Sequence, residues 1–356
     1  SVGDLSKLLK VTPTLAVCDC HPNYFSARYA KMLDIPVLSV QHHHAHVASV
    51  MAEHHLKERV IGVAFDGTGY GTDGNIWGGE FLICEGADFV RAAHLKYTPI
   101  LGGDESMKDA KKTASCFLMA SGLPDDIRDE RGPILKAAVE NKVNTVLSSS
   151  MGRLFDAVAS ILDIGQENQY EGECAANLER EALWALRRLG KRRADQDSSV
   201  TLKNLLLNQC NDEKPAGEVA IGDRESLPRK TEVCDTTKEA GIRFDISRKD
   251  GIIMIDPTPV LKAICELRDN TDAGILALAF HYAAADMAAE VCEILRSEQN
   301  INIVALCGGV FQNTILLERT TRLLEEKGFS VYTNEAVPPN DGSISLGQTY
   351  IGLMKG

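Results

Sequence analysis

A chain of 356 residues is long enough for one large domain or two lobes with a substantial core. Its composition, 44% hydrophobic and 25% charged, is ordinary for a soluble globular protein, and its net charge of −12 argues against wholesale binding to nucleic acid. Ten scattered cysteines without paired CxxC motifs favour free thiols in a reducing cytoplasm. No apolar run of about twenty residues stands out, so we expect a cytoplasmic protein without a membrane or nucleic-acid partner.

The first third of the chain alternates between strand and helix patterns. Branched apolar runs predict strands at 14–18, 36–40 and 60–65, and apolar spacing predicts helices at 22–33 and 44–56. Such alternation is typical of βαβ units and a parallel sheet. At 65–84, two apolar runs around a glycine-rich centre predict a hairpin whose turn uses glycine.

The middle of the chain has helical spacing, and the C-terminal part returns to an α/β pattern. Within 144–164 the apolar residues after Gly152 have helical spacing, with serines 148–150 as capping residues just before it, and a second helix is predicted at 173–189. Residues 190–243 are polar and weakly periodic, which predicts a poorly structured insertion with one helix at 202–209. Beyond it we predict a long helix at 274–297, a strand, glycine turn and helix at 302–313, a strand at 329–334, and a loop into a last helix at 338–354.

Six of the nine histidines lie between Val40 and His55. His42 and His46 are four residues apart, so on a helix both rings lie on one face and can converge on one metal ion. A carboxylate commonly completes such a site. The alternative is a polar helix start with solvated histidines, which is the commoner meaning of a lone HxxxH. The other histidines add little, and the pattern is not HExxH, so a metalloprotease base is missing.

Asp66 ends the third predicted strand and precedes the glycine-rich segment GTGYGTDG. Ligands collect at the carboxyl ends of strands in α/β sheets, so a carboxylate there can bind a metal or orient a nucleophile. The glycines after it would let backbone N–H groups approach phosphate oxygens. The alternative is a plain hairpin turn built from Asp and Gly.

Two further glycine junctions occur near the C-terminus. In CGGVFQN, Gly308 and Gly309 permit close approach of a ligand to a helix N-terminus, and Asn313 could hold a base or a ribose. The alternative there is a tight turn between strand and helix. In PPNDGS, Asp341 enters the last helix, where the alternative is a simple N-cap.

No single motif is decisive, but their order is specific. DxHP, HHHAH, FDGTGYG, SSSMGRLFDA, YEGE, CGGVFQN and NDGSISLGQ follow one another along the chain. In this order they resemble the carbamoyltransferase domain of the HypF family, which matures hydrogenases. They are also similar to antibiotic O-carbamoyltransferases and, more distantly, to the enzyme that modifies tRNA with threonylcarbamoyl. The resemblance covers nearly the whole chain except the polar insertion.

The resemblance implies an α/β fold, the two-lobed actin-like ATPase (ASKHA) fold, with mixed sheets flanked by helices. It implies a division into residues 1–60 plus 339–356 as a partial first lobe and 61–338 as the second lobe. The first lobe of this superfamily opens with a glycine-containing hairpin, and this chain starts at about the point where that hairpin would end.

The same resemblance implies a set of site residues. The metal ligands would be His42, His46, Asp66 and Asp341. Carbamoyl adenylate, ATP or AMP would contact Gly67, Thr68, Gly69, Gly152, Asp156, Gly308, Gly309 and Asn313. Asp19 and His21 would edge the carbamoyl group, and His21 or His44 could take the proton of the attacking thiol. The metal itself is left open among Fe, Zn and Mn, with Mg possible beside the nucleotide.

By resemblance, the carbamoyl group of carbamoyl adenylate moves to the C-terminal cysteine of a HypE-type partner. The product serves the synthesis of the cyanide ligand of nickel–iron hydrogenase. The upstream module that forms the adenylate is missing from this chain, so transfer without adenylate synthesis is expected. Two alternatives stay open, namely an O-carbamoyltransferase acting on a small hydroxylated substrate and a nucleotide-gated binding module.

Overall fold

A computed structural model describes residues 2–124, 130–195, 237 and 240–356, with backbone only at 104–105 and 190–195. The strands are β1 Ala16–Asp19, β2 Val37–Val40, β3 Val60–Tyr70, β4 Ile76–Glu85, β5 Asp88–Leu95, β6 Thr98–Leu101, β7 Thr145–Ser148, β8 Asp245–Lys249, β9 Ile252–Asp256, β10 Ile303–Cys307 and β11 Ser330–Thr333. The helices are α1 Val2–Leu9, α2 Phe25–Ala30, α3 His42–Glu53, α4 Ala110–Ala120, α5 Gly132–Glu140, α6 Met151–Ile161, α7 Glu173–Asp195, α8 Thr258–Leu267, α9 Ala273–Gln299, α10 Thr314–Glu326 and α11 Ile344–Lys355. Short 3-10 turns occupy Gly103–Met107, Gly309–Gln312 and Asp341–Ser343.

The strands form two sheets. β1 and β2 pair in parallel as a small sheet, and the other strands form a nine-stranded sheet in the order β11-β10-β3-β4-β5-β9-β8, with β7 beside β4 and β6 beside β7. The large sheet is mixed rather than parallel, because β3, β4 and β5 are joined by hairpins and pair antiparallel. The predicted α/β class with mixed sheets is therefore confirmed, and the parallel pairing expected of the first strands is found between β1 and β2.

The glycine-rich segment after Asp66 is divided between strand and turn. β3 continues to Tyr70, and its pairing with β4 changes register between Phe65 and Gly69. The hairpin predicted at 65–84 is confirmed, and its turn, between Tyr70 and Ile76, uses glycine as predicted, with Gly74 at φ +78°. Glycine in this strand marks a bulge and close approach of neighbouring groups, which the sequence pattern alone does not separate from a turn.

The predicted helices are present with changed boundaries. The helix predicted at 22–33 is shorter, because Phe25–Ala30 is followed by turns. The helix predicted at 44–56 begins two residues earlier, at His42. The helix predicted at 144–164 is preceded by β7 and begins at Met151, with the Ser150 side chain accepting a hydrogen bond from the backbone N–H of Arg153. The helix predicted at 173–189 continues to Asp195, inside the predicted insertion. The helix predicted at 202–209 lies outside the described residues.

Helix α9 is the centre of the main core. It packs against α7 and α10, and its alanines allow this close contact. It is also long and apolar enough to cross a membrane, contrary to the expectation that no such segment exists. In the folded protein, 83% of the most apolar 18-residue stretch of α9 is buried, as is typical of a core helix. The length and hydropathy of α9 are therefore weak evidence for a membrane span.

Helix α11 packs along α3, which carries the histidine cluster. Val40, Ala45, Ala48 and Ile351 form a small separate core at this contact. At Gly347 the two backbones are so close that an added Cβ would collide with the Ala45 carbonyl. The predicted division into residues 1–60 plus 339–356 and 61–338 stays a prediction, since packing of these helices is compatible with it but does not define a boundary.

We expect Gly347→Ala to destabilise the protein by about 1–3 kcal/mol, because the methyl group must push the two helices apart. The free energy of unfolding would be measured by urea denaturation. Gly3→Ala in α1 is the matched control, since nothing lies within 4 Å of a Cβ there. Equal stability of both variants would contradict the close packing of α3 and α11.

Candidate metal centre

Helix α3 brings His42 and His46 onto one buried face. The helix begins at His42 because the Gln41 side chain caps it, with its Oε1 accepting from the backbone N–H of His44 at 2.9 Å. Both residues are buried, with at most 1% of their surface exposed. Two successive turns of one helix thus present two ring nitrogens toward the end of β3.

Asp66 and Asp341 complete a group of four. His42 Nε2 lies 3.2 Å from Asp66 Oδ2 and 3.5 Å from Asp341 Oδ1. His46 Nε2 lies 3.6 Å from each of the same two oxygens. One donor atom from each of the four residues lies within 4.8 Å of the others. Two imidazoles and two carboxylates at this spacing form a donor set suited to a divalent transition metal.

The two carboxylates are held differently. Asp66 is buried on β3, and its Oδ1 accepts from the backbone N–H of Gly309 at 3.1 Å, which leaves Oδ2 facing the histidines. Asp341 begins a 3-10 turn just before α11, and its side chain is 72% exposed. The group is therefore closed on the β3 side and open on the Asp341 side.

The proton affinities of the four groups are coupled. Burial lowers the pKa of His42, but hydrogen bonds to Asp19, Asp341 and Asp66 outweigh burial and hold that pKa well above its usual value. The carboxylates of Asp341 and Asp66, each 3.6 Å from His46 Nε2, likewise raise the pKa of His46 against its burial. In turn, His42 and His46 keep the pKa of Asp341 low, and they outweigh burial to keep that of Asp66 low.

The residues present fit a bound cation. Within the part of the chain that the structure describes, neither ring nitrogen of the fully buried His46 has a hydrogen-bond partner. An unpartnered buried imidazole costs free energy unless a ligand takes its lone pair. With two carboxylates facing it, a metal ion is the ligand that would satisfy both the ring and the negative charge.

A cavity of about 600 Å³ adjoins this group. Asp66 and Asp341 lie on its wall, so the four-residue group is continuous with it. Five of the residues predicted to contact a nucleotide also line the cavity: Gly67, Gly152, Asp156, Gly309 and Asn313. At Gly152 an added Cβ would lie 2.8 Å from Gly67 Cα, so glycine there permits the start of α6 to touch β3.

Three other predicted nucleotide contacts do not line the cavity. The Thr68 hydroxyl faces the sulfur of Met107 at 3.8 Å. Gly69 lies against the rings of His42 and His43, where a side chain would collide with both. Gly308 has φ +94° and passes the Phe65 carbonyl, so only glycine fits. Close packing of the strand ends explains why glycine is needed at Gly69 and Gly308, and their contact with a nucleotide stays a prediction.

Asn313 lines the cavity, but its side chain is already engaged. Its Oδ1 caps α10 by accepting from the backbone N–H of Leu316, and its Nδ2 donates to His281 Nε2 at 2.8 Å. His281 is itself held by donation from Nδ1 to the Ala277 carbonyl. Asn313 therefore shapes the cavity wall, and its contacts give no support for the predicted role of holding a base or ribose.

Asp19 contacts the group directly, and His21 lies next to Asp19. Asp19 Oδ2 accepts from His42 Nδ1 at 2.8 Å, and its Oδ1 accepts from the backbone N–H of His21 at 2.7 Å. The His21 ring stacks on Tyr24, and its Nδ1 accepts from the backbone N–H of Asn23 at 3.2 Å. In the neutral ring the proton is then on Nε2, which suits His21 to donate a hydrogen bond rather than to act as a base at that atom.

The structure does not bring His44 to the group. Two residues after His42, it points from another face of α3 and packs against Phe89 at a ring distance of 4.7 Å. Burial, with a smaller contribution from Lys355, lowers its pKa to about 4. Its position therefore gives no support for the predicted role as proton acceptor.

Sequence reasoning passed over three residues that the structure places at the site. Gln41 and His43 contact the group, and Arg153 lines the cavity from the first turn of α6. Arg153 is 3% exposed and reaches Asp156 Oδ2 at 3.1 Å, while its Nε and Nη1 have no hydrogen-bond partner within the described residues. The sequence does contain a signal for Arg153: it follows a serine cap and a glycine in the first turn of α6, and that turn faces the strand ends.

Mixed sheets flanked by helices, with a buried donor group and a cavity at the strand ends, define an α/β fold of the actin-like ATPase type. The chain belongs to the HypF carbamoyltransferase family. The family model described as "Carbamoyltransferase, Kae1-like Domain, second subdomain" matches residues 62–222 and 204–348. The model described as "HypF Kae1-like domain" matches residues 1–53.

Relatives in this family are similar over nearly the whole chain. Carbamoyltransferase HypF2 of Cupriavidus necator is 33% identical, and the match covers 100% of this chain and 42% of that protein. A carbamoyltransferase HypF homolog of the same organism is 30% identical, with 94% of this chain and 76% of that protein covered. A crystal structure of full-length HypF in the phosphate- and nucleotide-bound form matches with TM-score 0.79 and 34% identity, over 100% of this chain and 41% of that one. The chain thus spans about two fifths of the first relative and of the solved structure.

We expect metal affinity to increase between pH 6 and pH 8. The raised pKa values of His42 and His46 mean that bound protons must leave before the ring nitrogens can bind a metal. Each displaced proton would increase the affinity by about tenfold per pH unit. Competition of the protein with a chelator for Zn²⁺ at both pH values measures this, and an affinity that does not change with pH would contradict it.

Proposed function

We propose that this chain is the carbamoyl-transfer part of a HypF-type enzyme. It would bind carbamoyl adenylate and pass the carbamoyl group to the C-terminal cysteine of a HypE-type partner, for the cyanide ligand of nickel–iron hydrogenase. Family membership supports the reaction class. The partner and its cysteine are inferred from the resemblance of the motifs. The described residues of the cavity wall do not by themselves identify the carbamoyl acceptor.

One observation supports this proposal above the others. The group of His42, His46, Asp66 and Asp341 is continuous with a cavity of about 600 Å³. This volume is in the range of small-molecule and cofactor sites. A cation and a nucleotide bound there would touch, because Asp66 and Asp341 belong to both the donor group and the cavity wall.

The chemistry is an acyl transfer between phosphate and thiol. The partner's sulfur attacks the carbamoyl carbon, the bond from that carbon to the phosphate oxygen breaks, AMP leaves with the electron pair, and the thiol proton passes to water. A divalent metal held by the four residues would supply Lewis-acid stabilisation of negative charge on the reacting oxygens. With its proton on Nε2, His21 would donate a hydrogen bond at the mouth of the site, where Tyr24 and Tyr70 flank its ring.

Arg153 would bind the anionic part of the substrate. Its guanidinium is buried in the cavity wall, where the ion pair found for it among the described residues is with Asp156. Burial raises the pKa of Asp156, and the guanidinium acts in the opposite direction. A phosphate beside Arg153 would engage N–H groups that otherwise have no partner, and hydrogen bonds of this charged kind are the strong ones.

Intact-mass spectrometry tests the transfer directly. The chain would be mixed with synthetic carbamoyl adenylate, a divalent metal and a partner protein ending in Cys, with a chelator in a parallel reaction. We expect one carbamoyl group on the terminal cysteine, and none when the chelator is present. Carbamoylation of a small hydroxylated compound instead would favour an O-carbamoyltransferase, and nucleotide binding without any transfer would favour a nucleotide-gated module.

We expect His46→Ala to abolish transfer while the protein stays folded, because one of two imidazole donors is lost from the four-residue group. Initial rates from the mass assay and a circular dichroism melt would be recorded together. His55→Asn is the control, since His55 is exposed at φ +54°, a conformation that asparagine tolerates. Unchanged turnover of the His46 variant would overturn the metal assignment.

We expect Arg153→Gln to weaken binding of ATP by about 10- to 100-fold, the effect of losing a hydrogen bond to a charged group of about 1.5–3 kcal/mol. Isothermal titration calorimetry measures the dissociation constant. Arg180→Gln on α7 is the matched control, because the Arg180 side chain is 58% exposed and outside the cavity wall. Equal affinities of the two folded variants would exclude Arg153 from the nucleotide site.

A further inference from the structure

Three histidines, not two, surround Asp66. His43 Nε2 lies 4.0 Å from Asp66 Oδ2, the same oxygen that His42 and His46 approach. The His43 side chain is fully buried, and its ring centre is 5.3 Å from that of His42. By proximity alone, His43 is therefore a third possible imidazole ligand. Whether it can bind a metal depends on which of its ring nitrogens carries the proton.

The Gln41 amide can adopt only one orientation. Its Oε1 faces the backbone N–H of His44 at 2.9 Å, and a backbone N–H can only donate. Its Nε2 faces the carbonyl oxygen of Tyr70 at 3.2 Å, and a carbonyl can only accept. The oxygen and the nitrogen of the amide are thus assigned by two independent backbone partners.

That orientation determines the proton position on His43. The second N–H of Gln41 Nε2 points to His43 Nδ1 at 3.2 Å, so Nδ1 must accept with its lone pair. The proton of the neutral ring is then on Nε2, directed toward Asp66. His42 is the opposite case, because its Nδ1 faces the Asp19 carboxylate at 2.8 Å and must carry a proton there. Of these two rings, His42 therefore has a lone pair on Nε2 for a metal, and His43 does not.

Packing confines the His43 ring to this place, and the contact with Gln41 distinguishes its two edges. Trp77 lies along one side of it, with ring centres 6.4 Å apart. On another side, Gly69 is so close that an added Cβ would collide with the His43 ring and lie 2.8 Å from the His42 ring. The two imidazoles occupy the space that a side chain at Gly69 would otherwise fill.

We propose that Gln41 fixes His43 in the tautomer with its proton on Nε2, which removes His43 from the set of metal ligands and directs an N–H group toward Asp66 Oδ2, 4.0 Å away. His43 is then a positioning residue for a carboxylate ligand, and Gln41 positions His43. This inference rests on the metal centre of the proposed function. Polar groups behind a metal ligand orient that ligand and tune the metal it binds.

The tautomer can be read in the metal-free protein by nitrogen NMR of the histidine rings. We expect His43 to show a protonated Nε2 and an unprotonated Nδ1. Gln41→Asn keeps a good helix cap but is one methylene too short to reach the ring, so this variant should lose the uniform Nε2–H signature. A proton on Nδ1 of His43 in the wild-type chain would overturn the proposal.

Zinc affinity gives the second readout, by competition with a chelator. We expect the His43→Gln variant to bind one Zn²⁺ with an affinity reduced about tenfold, as found for residues that orient a metal ligand. The His42→Gln variant should lose more than about a hundredfold in zinc affinity, because a ligand itself is removed. His55→Asn is the control. Equal losses in the His43 and His42 variants would make His43 a ligand and overturn the proposal. A wild-type chain that binds no zinc, yet shows the expected His43 tautomer, would refute the metal centre and leave the tautomer assignment standing.

Discussion

The contact between the first turns of α3 and the end of β3 is the constraint on which the rest of the site depends. It buries Asp66 among three imidazoles, and a carboxylate in such a place is tolerated only where neighbouring groups compensate its charge. The backbone adapts to this requirement. Gly69 makes room for two rings, Gly308 passes the Phe65 carbonyl, and Gly347 lets α11 approach α3. Glycines that resemble a phosphate loop in the sequence are thus explained largely by the packing of a charged cluster.

How much the sequence could predict follows from the range of each interaction. His42 and His46 were found because helix geometry is local, and four residues suffice to place two rings on one face. Asp66 and Asp341 are distant along the chain, and only the order of motifs associated them with the histidines. The roles of Gln41 and His43 could not be found, because they depend on the carbonyl of Tyr70, 29 residues from Gln41.

Other differences also have physical causes. Gly67 and Gly69 are predicted to contact a phosphate, with a hairpin turn as the alternative, and only pairing with β4 shows that they lie in a strand with a register shift. His44 was selected for its residue type, but in a helix a shift of two positions turns a side chain to another face. Arg153 was overlooked because its importance comes from burial beside a cavity, a property that composition and spacing do not carry.

The donor group also has a consequence for the predicted two-lobed division. His42, His46 and Asp341 belong to the segments assigned to the first lobe, whereas Asp66 belongs to the second. Under that division a bound metal joins the lobes through one buried carboxylate, and Asp66 is the residue whose orientation matters most. Gly309 donates to its Oδ1, and His43 Nε2 faces its Oδ2 from 4.0 Å. A carboxylate whose one oxygen is held by the backbone presents the other oxygen to its ligand, so a cation entering from the open Asp341 side meets a site that needs little rearrangement.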